Sequence, residues 1–209
     1  MNTYIDFREN IDYEKLNEIA QIIKKGGVVV FPTETVYGIG TNGLNEEGIK
    51  KLYAIKNRPK DKPISLLVSN LDMVKQLTTD ITEMEYKLME KYFPGPLTII
   101  LKKSSIVPNI LTSNSDRVGI RCPDSIIARK LIEMANVPIA TSSANISGMK
   151  SGTNVQNIME TLGDYVDYYI DGGESPIGRA STVVQMINNK PKILRAGSIT
   201  EQQLNCLDL

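Results

Sequence analysis

Between Tyr13 and Lys25 the apolar residues Leu16, Ile19, Ala20, Ile22 and Ile23 recur at helical spacing, and Gly26-Gly27 stops the run. Val28 to Phe31 follows as a continuous apolar stretch, read as a buried strand that Pro32 ends by denying a ladder hydrogen bond. Asn45 caps a second predicted helix, Glu46 to about Ile55. Ile64–Val68 and Leu97–Leu101 read as strands, with a helix over Thr82–Tyr92 between them that Pro94-Gly95-Pro96 breaks. Further along come a strand at Val118–Arg121, a helix at Ser125–Ala135, a strand at Ile139–Thr141 and a helix at Val155–Leu162. Tyr168–Asp171, Thr182–Ile187 and Lys192–Leu194 complete the strands. Alternating strands and helices place the chain in the α/β class. Several late strands lack an intervening helix, so the pattern predicts one domain over 1–209 with a twisted, mixed parallel/antiparallel sheet. The polar, glycine-containing stretch Ser142–Asn154 reads as a loop able to cover a ligand.

Composition narrows the chemistry. There is no histidine, so a Ser-His-Asp triad and a histidine-bound metal are excluded. Lysines and arginines number 24, as do aspartates and glutamates, so any anion site is local rather than a product of the global field. Cys122 and Cys206 are far apart and form no Cys-x-x-Cys pair, which suggests a reducing compartment and offers no zinc motif. Met1–Asn10 carries Asp6, Arg8 and Glu9 and no apolar core, so it does not read as a signal peptide. No apolar run reaches the roughly 20 residues of a membrane span. The expected location is the cytoplasm, with no membrane partner.

Four segments carry candidate chemistry. Phe31-Pro-Thr-Glu-Thr-Val-Tyr-Gly-Ile-Gly40 puts Thr33, Glu34 and Thr35 at a strand end, where open α/β sheets bind ligands, although a local turn fits as well. Lys56-Asn-Arg-Pro-Lys-Asp-Lys62 gathers four cations between a helix and a strand, as a triphosphate site requires or as a solvated helix end carries. Ala140-Thr-Ser-Ser-Ala-Asn145 offers hydroxyls and an amide after a strand, or an ordinary turn. Asp171-Gly-Gly-Glu-Ser-Pro-Ile-Gly-Arg-Ala-Ser-Thr182 is glycine-rich but is no P-loop, because no Lys-Ser/Thr follows its glycines. Arg121 and Arg195 each end a short apolar run, as anion clamps or as surface partners.

The order of these segments resembles the YrdC/Sua5 family. The signatures are Gly26 to Gly40, Lys56-x-Arg58, Asp61-Lys-Pro63, Phe93-Pro-Gly-Pro-Leu-Thr98 and Val118-Gly-Ile-Arg-Cys-Pro123. They continue through Ser143-x-Asn145, Asp171-Gly-Gly173, Ser181-Thr-Val-Val184 and Leu194-Arg195. Two features depart from the pattern. Ala180 stands where the family usually has Glu, and Ser65-Leu-Leu-Val68 lacks the histidine many members carry. The chain resembles the short form, without an extra C-terminal domain.

The resemblance implies a mixed α/β sheet with a large concave basic cavity and a nucleotidyltransferase activity. L-threonine, bicarbonate or CO2, and ATP would give threonylcarbamoyl-AMP and pyrophosphate. A separate tRNA threonylcarbamoyl transferase complex would then modify adenosine 37 of tRNAs reading ANN codons. By resemblance, Lys56 and Arg58 are catalytic cations on the ATP phosphates, with Lys60, Ser143, Asn145, Ser151 and Arg195 completing the nucleotide site. Arg121 would pair with the threonine carboxylate, and Thr33, Ser65, Thr141 and Ser181 would surround the amino acid. Mg2+ is expected with the triphosphate, and no dedicated protein metal site is expected. The alternative reading is a double-stranded RNA-binding module without catalysis, and contact with tRNA or double-stranded RNA is compatible with either.

Overall fold

The computed structural model describes residues 3–149 and 151–205; Cys206 lies outside them. In chain order the elements are β1 (Thr3–Asp6), α1 (Tyr13–Lys24), β2 (Val29–Phe31), β3 (Gly38–Asn42), α2 (Glu46–Ile55), β4 (Ser65–Leu67), α3 (Leu71–Leu77) and α4 (Glu83–Tyr92). They continue with β5 (Leu97–Lys102), β6 (Arg117–Arg121), α5 (Ile126–Ala135), β7 (Ile139–Ser143) and α6 (Val155–Leu162). A 3-10 turn at Gly163–Tyr165 leads to β8 (Tyr168–Asp171), β9 (Thr182–Ile187), β10 (Lys190–Arg195) and α7 (Glu201–Asn205).

Side-chain caps set the helix starts. Asp12 accepts from the Lys15 amide, Asn45 from Gly48, Asn70 from Met73, Ser125 from Ala128, and Asn154 from Gln156 and Asn157. Thr82 and Glu85 form a reciprocal capping box at the head of α4. Thr82 and Ser125 are therefore caps, and their helices begin one residue later than the periodicity predicts. Asn136 closes α5 in the left-handed conformation, with φ of 53°, which asparagine tolerates better than most residues.

All ten strands join one sheet in the order β1-β8-β2-β3-β7-β4-β6-β5-β9-β10. The pairs β1–β8, β2–β8, β4–β6 and β5–β9 are parallel and the other five are antiparallel. The sheet is thus mixed, as predicted. The pattern missed β1, β3, α3 and α7. In β3 the sequence Gly-Ile-Gly-Thr-Asn has a single large apolar residue, so it shows no strand signal although every position is buried. β7 also runs on to Ser143, two residues past the predicted end, so the loop of 142–154 starts later than expected.

Alternation along the strands feeds two separate cores. Val28, Val30, Ile39, Leu66, Ile99, Ile120 and Ala140 face one side and pack with residues from α2, α3, α4, α6 and α7. Val29, Phe31, Leu67, Ile139 and Ile170 face the other and pack under α1 and α5. On this second side α1 and α5 cover only part of the sheet. Beyond them the same face turns from apolar to small and polar, with Leu67 giving way to Ser65 and Ile139 to Thr141 and Ser143.

Leu131 of α5 is fully buried in this second cluster. Leu131→Ala is expected to destabilise the fold by about 2–5 kcal/mol, read as a lower midpoint in urea unfolding. A shift within error of zero would show that α5 does not hold this face.

Candidate active site

The uncovered part of the second face is the floor of a cleft of about 210 Å3, open to solvent. Three arginines from separate elements line it: Arg58 after α2, Arg121 at the end of β6 and Arg195 at the end of β10. No aspartate or glutamate lines it among the described residues. Thr33, Thr35, Tyr37, Ser65, Thr98, Thr141, Ser142, Ser143, Ser151 and Ser181 add hydroxyl-bearing residues to its lining.

Each arginine is held by backbone carbonyls. Arg58 donates from Nε to the Lys62 carbonyl at 3.0 Å and from a terminal nitrogen to that of Pro63 at 2.8 Å. Arg195 donates to the carbonyl and hydroxyl of Ser181 at 2.9 and 3.1 Å. The Ser181 hydroxyl is also 2.8 Å from that of Thr98. Arg121 donates from Nε to the Gly95 carbonyl at 3.2 Å, and its terminal nitrogen lies 2.7 Å from a Glu34 carboxylate oxygen. Both members of this ion pair are less than a tenth exposed, and neither Glu34 oxygen has an aligned hydrogen-bond donor among the described residues. Burial, and then the charges of Arg121 and Arg58, push the Arg195 guanidinium below its usual range. That repulsion means the cleft has more positive charge than its own groups neutralise, and an anion would relieve it.

Strand register assembles the floor. Ser65 pairs with Thr141 across β4–β7, and Gly38 and Gly40 pair with Ser143 and Thr141 across β3–β7. A Cβ on Gly38 would sit 2.9 Å from the Thr141 methyl, so glycine is what gives Thr141 its room. At the cleft edge the Thr33 hydroxyl donates to the Val36 carbonyl at 2.6 Å and lies 2.9 Å from the Thr35 hydroxyl, which folds the segment after β2 into a tight polar turn.

Three predicted site residues fall outside the lining. Lys60 is exposed. Asn145 accepts from the Ser143 hydroxyl at 2.5 Å and donates to the Ile146 and Met149 carbonyls, turning the chain after β7. It lines a neighbouring cleft that meets the first at Ser151. Lys56 is buried at the end of α2, 1% exposed. Its amine donates to the carbonyls of Ser143 and Asn145, both at 2.5 Å, and its own carbonyl accepts from the Ser147 amide at 2.9 Å. Lys56 thus ties the cation segment to the Ser-x-Asn segment from behind the cleft. Burial, and secondarily Arg58, push its amine down to about 7, while the carbonyl acceptors favour the charged form against that trend.

Thr35, placed at a ligand-binding strand end by the sequence, lines the cleft, and so do Thr98 and Tyr37, to which the sequence assigned no role although the motif strings contain both. The buried Tyr37 hydroxyl donates to the Gly173 carbonyl at 2.7 Å and accepts from the Gly172 amide at 3.1 Å. Burial holds it protonated. Asp171 accepts from the Tyr37 hydroxyl at 3.3 Å as well as from Tyr4, Gln156 and the Gly173 amide, so Tyr37 ties the Asp-Gly-Gly segment to the turn after β2. Cys122, next to Arg121, is buried, and its thiol donates to the Ser69 carbonyl at 3.4 Å. Burial raises it to about 11. No cluster of Cys, Asp and Glu able to hold a metal occurs among the described residues, and no helix is long and apolar enough to cross a membrane.

Residues 21–197 match the Sua5/YciO/YrdC family model, described as telomere recombination. A threonylcarbamoyl-AMP synthase of Pyrococcus abyssi is 39% identical over 204 residues, which are 98% of this chain and 60% of that protein. A protein of Methanocaldococcus jannaschii described as a putative threonylcarbamoyl-AMP synthase is 37% identical, over 93% of each chain. Among solved structures, that of P. abyssi Sua5 complexed with L-threonine superposes with a TM-score of 0.95 at 38% identity, covering 98% of this chain and 60% of that one. The chain therefore spans about three fifths of the P. abyssi relative.

The Lys56 amine has a pH signature. Its ordinary value is 10.5 and its folded value about 7. Between the two the unfolded chain binds more protons, so this group makes stability rise with pH across that window and is most costly to the fold below 7. Thermal melts from pH 6.5 to 10 should show a flatter pH dependence for Lys56→Met than for the unaltered chain. Parallel curves would mean that the buried amine titrates near its ordinary value.

Proposed function

The chain belongs to the Sua5/YciO/YrdC family, and from that footing we propose that it is an L-threonylcarbamoyladenylate synthase acting in the cytoplasm. The observation that supports this most is the cleft itself, with three arginines, a hydroxyl-lined floor and no lining carboxylate among the described residues. Such a site suits a substrate set that is anionic at several points, as ATP with an amino-acid carboxylate and a carbamate would be.

In this reading the threonine amine adds to CO2, from bicarbonate, and loses a proton to give the carbamate. A carbamate oxygen attacks the α-phosphorus of ATP, which enters with Mg2+ as its counter-ion. The bond from that phosphorus to the bridging oxygen breaks, and pyrophosphate leaves. The nucleophile is already an anion, so positioning and charge stabilisation suffice and no histidine is needed. Arg58 and Arg195 face the phosphates. Ser143 and Ser151 line the nucleotide side, and Asn145 shapes the turn that presents Ser143. Lys56 contributes by fixing that same turn behind the phosphates. Lys60, exposed beyond the cleft, is the outermost cation available to the triphosphate. Arg121 takes the threonine carboxylate, with Thr33, Ser65, Thr141 and Ser181 around the rest of the amino acid. The product passes to a tRNA threonylcarbamoyl transferase for modification of adenosine 37.

The test is pyrophosphate release from the purified chain, expected only when ATP, threonine and bicarbonate are all present, with mass detection of the adenylate. Release independent of threonine, or none at all, would refute the proposal. Within it, Arg58→Ala removes charge-assisted contacts of about 1.5–3 kcal/mol, or about ten- to a hundredfold. That loss should appear mainly in KM for ATP, while Arg121→Ala should raise mainly KM for threonine. Equal effects of both variants on both substrates would dissolve the division of the cleft.

A further inference from the structure

The floor of the cleft contains a recess made by an absent side chain. Gly119 is the middle residue of β6, on the same face as Arg121 two positions on, about 7 Å along the strand. Its flanking residues Val118 and Ile120 point the other way, into the first core cluster. A Cβ built on Gly119 would lie 2.6 Å from the Ser65 hydroxyl oxygen and 3.2 Å from the Thr98 methyl. Both neighbours line the cleft. The Ser65 hydroxyl therefore rests in the volume that any other residue at 119 would fill.

The two neighbours differ in how they are held. The Thr98 hydroxyl is fixed against Ser181 at 2.8 Å. The Ser65 hydroxyl has no hydrogen-bond partner among the described residues and lies directly over Gly119 on the floor. A methyl at 119 would push it upward into the cleft, because the backbone ladders of β4 and β6 allow neither strand to retreat.

We infer that Gly119 is a specificity-determining residue: the recess it leaves sets the room above the floor, and thereby the size of amino-acid side chain the cleft accepts. The inference rests on the reading of Arg121 as the carboxylate clamp, which places the substrate's side chain over this part of the floor. With the Ser65 hydroxyl lying in this recess, room is left above it for the β-methyl that distinguishes threonine from serine. Gly119 acts through Ser65 and touches no reacting atom, so it is a positioning residue for selectivity rather than a catalytic one.

The experiment compares kcat/KM for threonine and for serine, by pyrophosphate release, in the unaltered chain, Gly119→Ala, Ser65→Ala and the double variant. In Gly119→Ala the preference for threonine over serine should fall by about tenfold or more, the scale of one methyl group in a shaped pocket. In the Ser65→Ala background the same glycine change should shift the preference much less, since the displaced hydroxyl is gone. Ser65→Thr, which fills the recess from the opposite strand and leaves β6 untouched, should reproduce the shift and guards against misfolding of the glycine variant. An unchanged threonine-to-serine ratio in Gly119→Ala and Ser65→Thr would overturn the inference, as would an equal shift with and without the Ser65 hydroxyl. If the unaltered chain shows no threonine-dependent release, the proposed function fails instead, and the two failures are thereby distinct.

Discussion

Everything in the site depends on one geometric constraint, the strict alternation of side chains across a hydrogen-bonded sheet. Each strand sends every second residue to each face, and the ladder fixes which residues of neighbouring strands meet. Here one face is largely apolar, while the other is apolar under α1 and α5 and polar beyond them. β4 and β7 cross that boundary. Leu67 and Ile139 anchor the helices, and Ser65 and Thr141, two residues away on the same strands, lie paired on the floor of the cleft. A slip of one residue in either strand would carry its floor residue to the opposite face and bury a hydroxyl in the first core. The site and the core are therefore specified by the same register.

The cleft also illustrates how like charges can be gathered without collapse of the surrounding fold. Arg58, Arg121 and Arg195 each donate to a backbone carbonyl that no substitution can remove. Their orientation is set by main-chain geometry more than by pairing with acidic side chains, and among the described residues only Arg121 of the three has a carboxylate beside it. A guanidinium so held keeps some of its donors for a ligand and loses little rotamer freedom on binding. Lys56 works in the opposite sense. It is spent entirely on the protein, joining the end of α2 to the turn after β7.

Much of this was legible in the residue pattern, for identifiable reasons. Helices with a clear apolar stripe and a polar cap, such as Tyr13–Lys24 and Glu46–Ile55, announce themselves in sequence. β3 did not, because its glycines serve the close approach of Thr141 and supply no apolar pattern. Arg121 and Arg195 stand out as cations ending apolar runs and Arg58 as part of a cation cluster, and the structure brings all three into one cleft. Lys56 looked like its neighbour Arg58 because spacing records charge and not burial. Its inward course follows from the tertiary position of the helix end, which no local pattern encodes. Thr98 and Gly119 were invisible for the same reason, since their importance lies in what stands on the adjacent strand.

The buried thiol of Cys122, next in sequence to Arg121, has a separate consequence. Held near 11 by burial, Cys122 is almost wholly un-ionised at neutral pH, and its sulfur is shielded from reagents. It can react only when the segment joining β6 to α5 lifts from its neighbours. The rate of its modification is thus gated by local opening at the one strand end that carries Arg121.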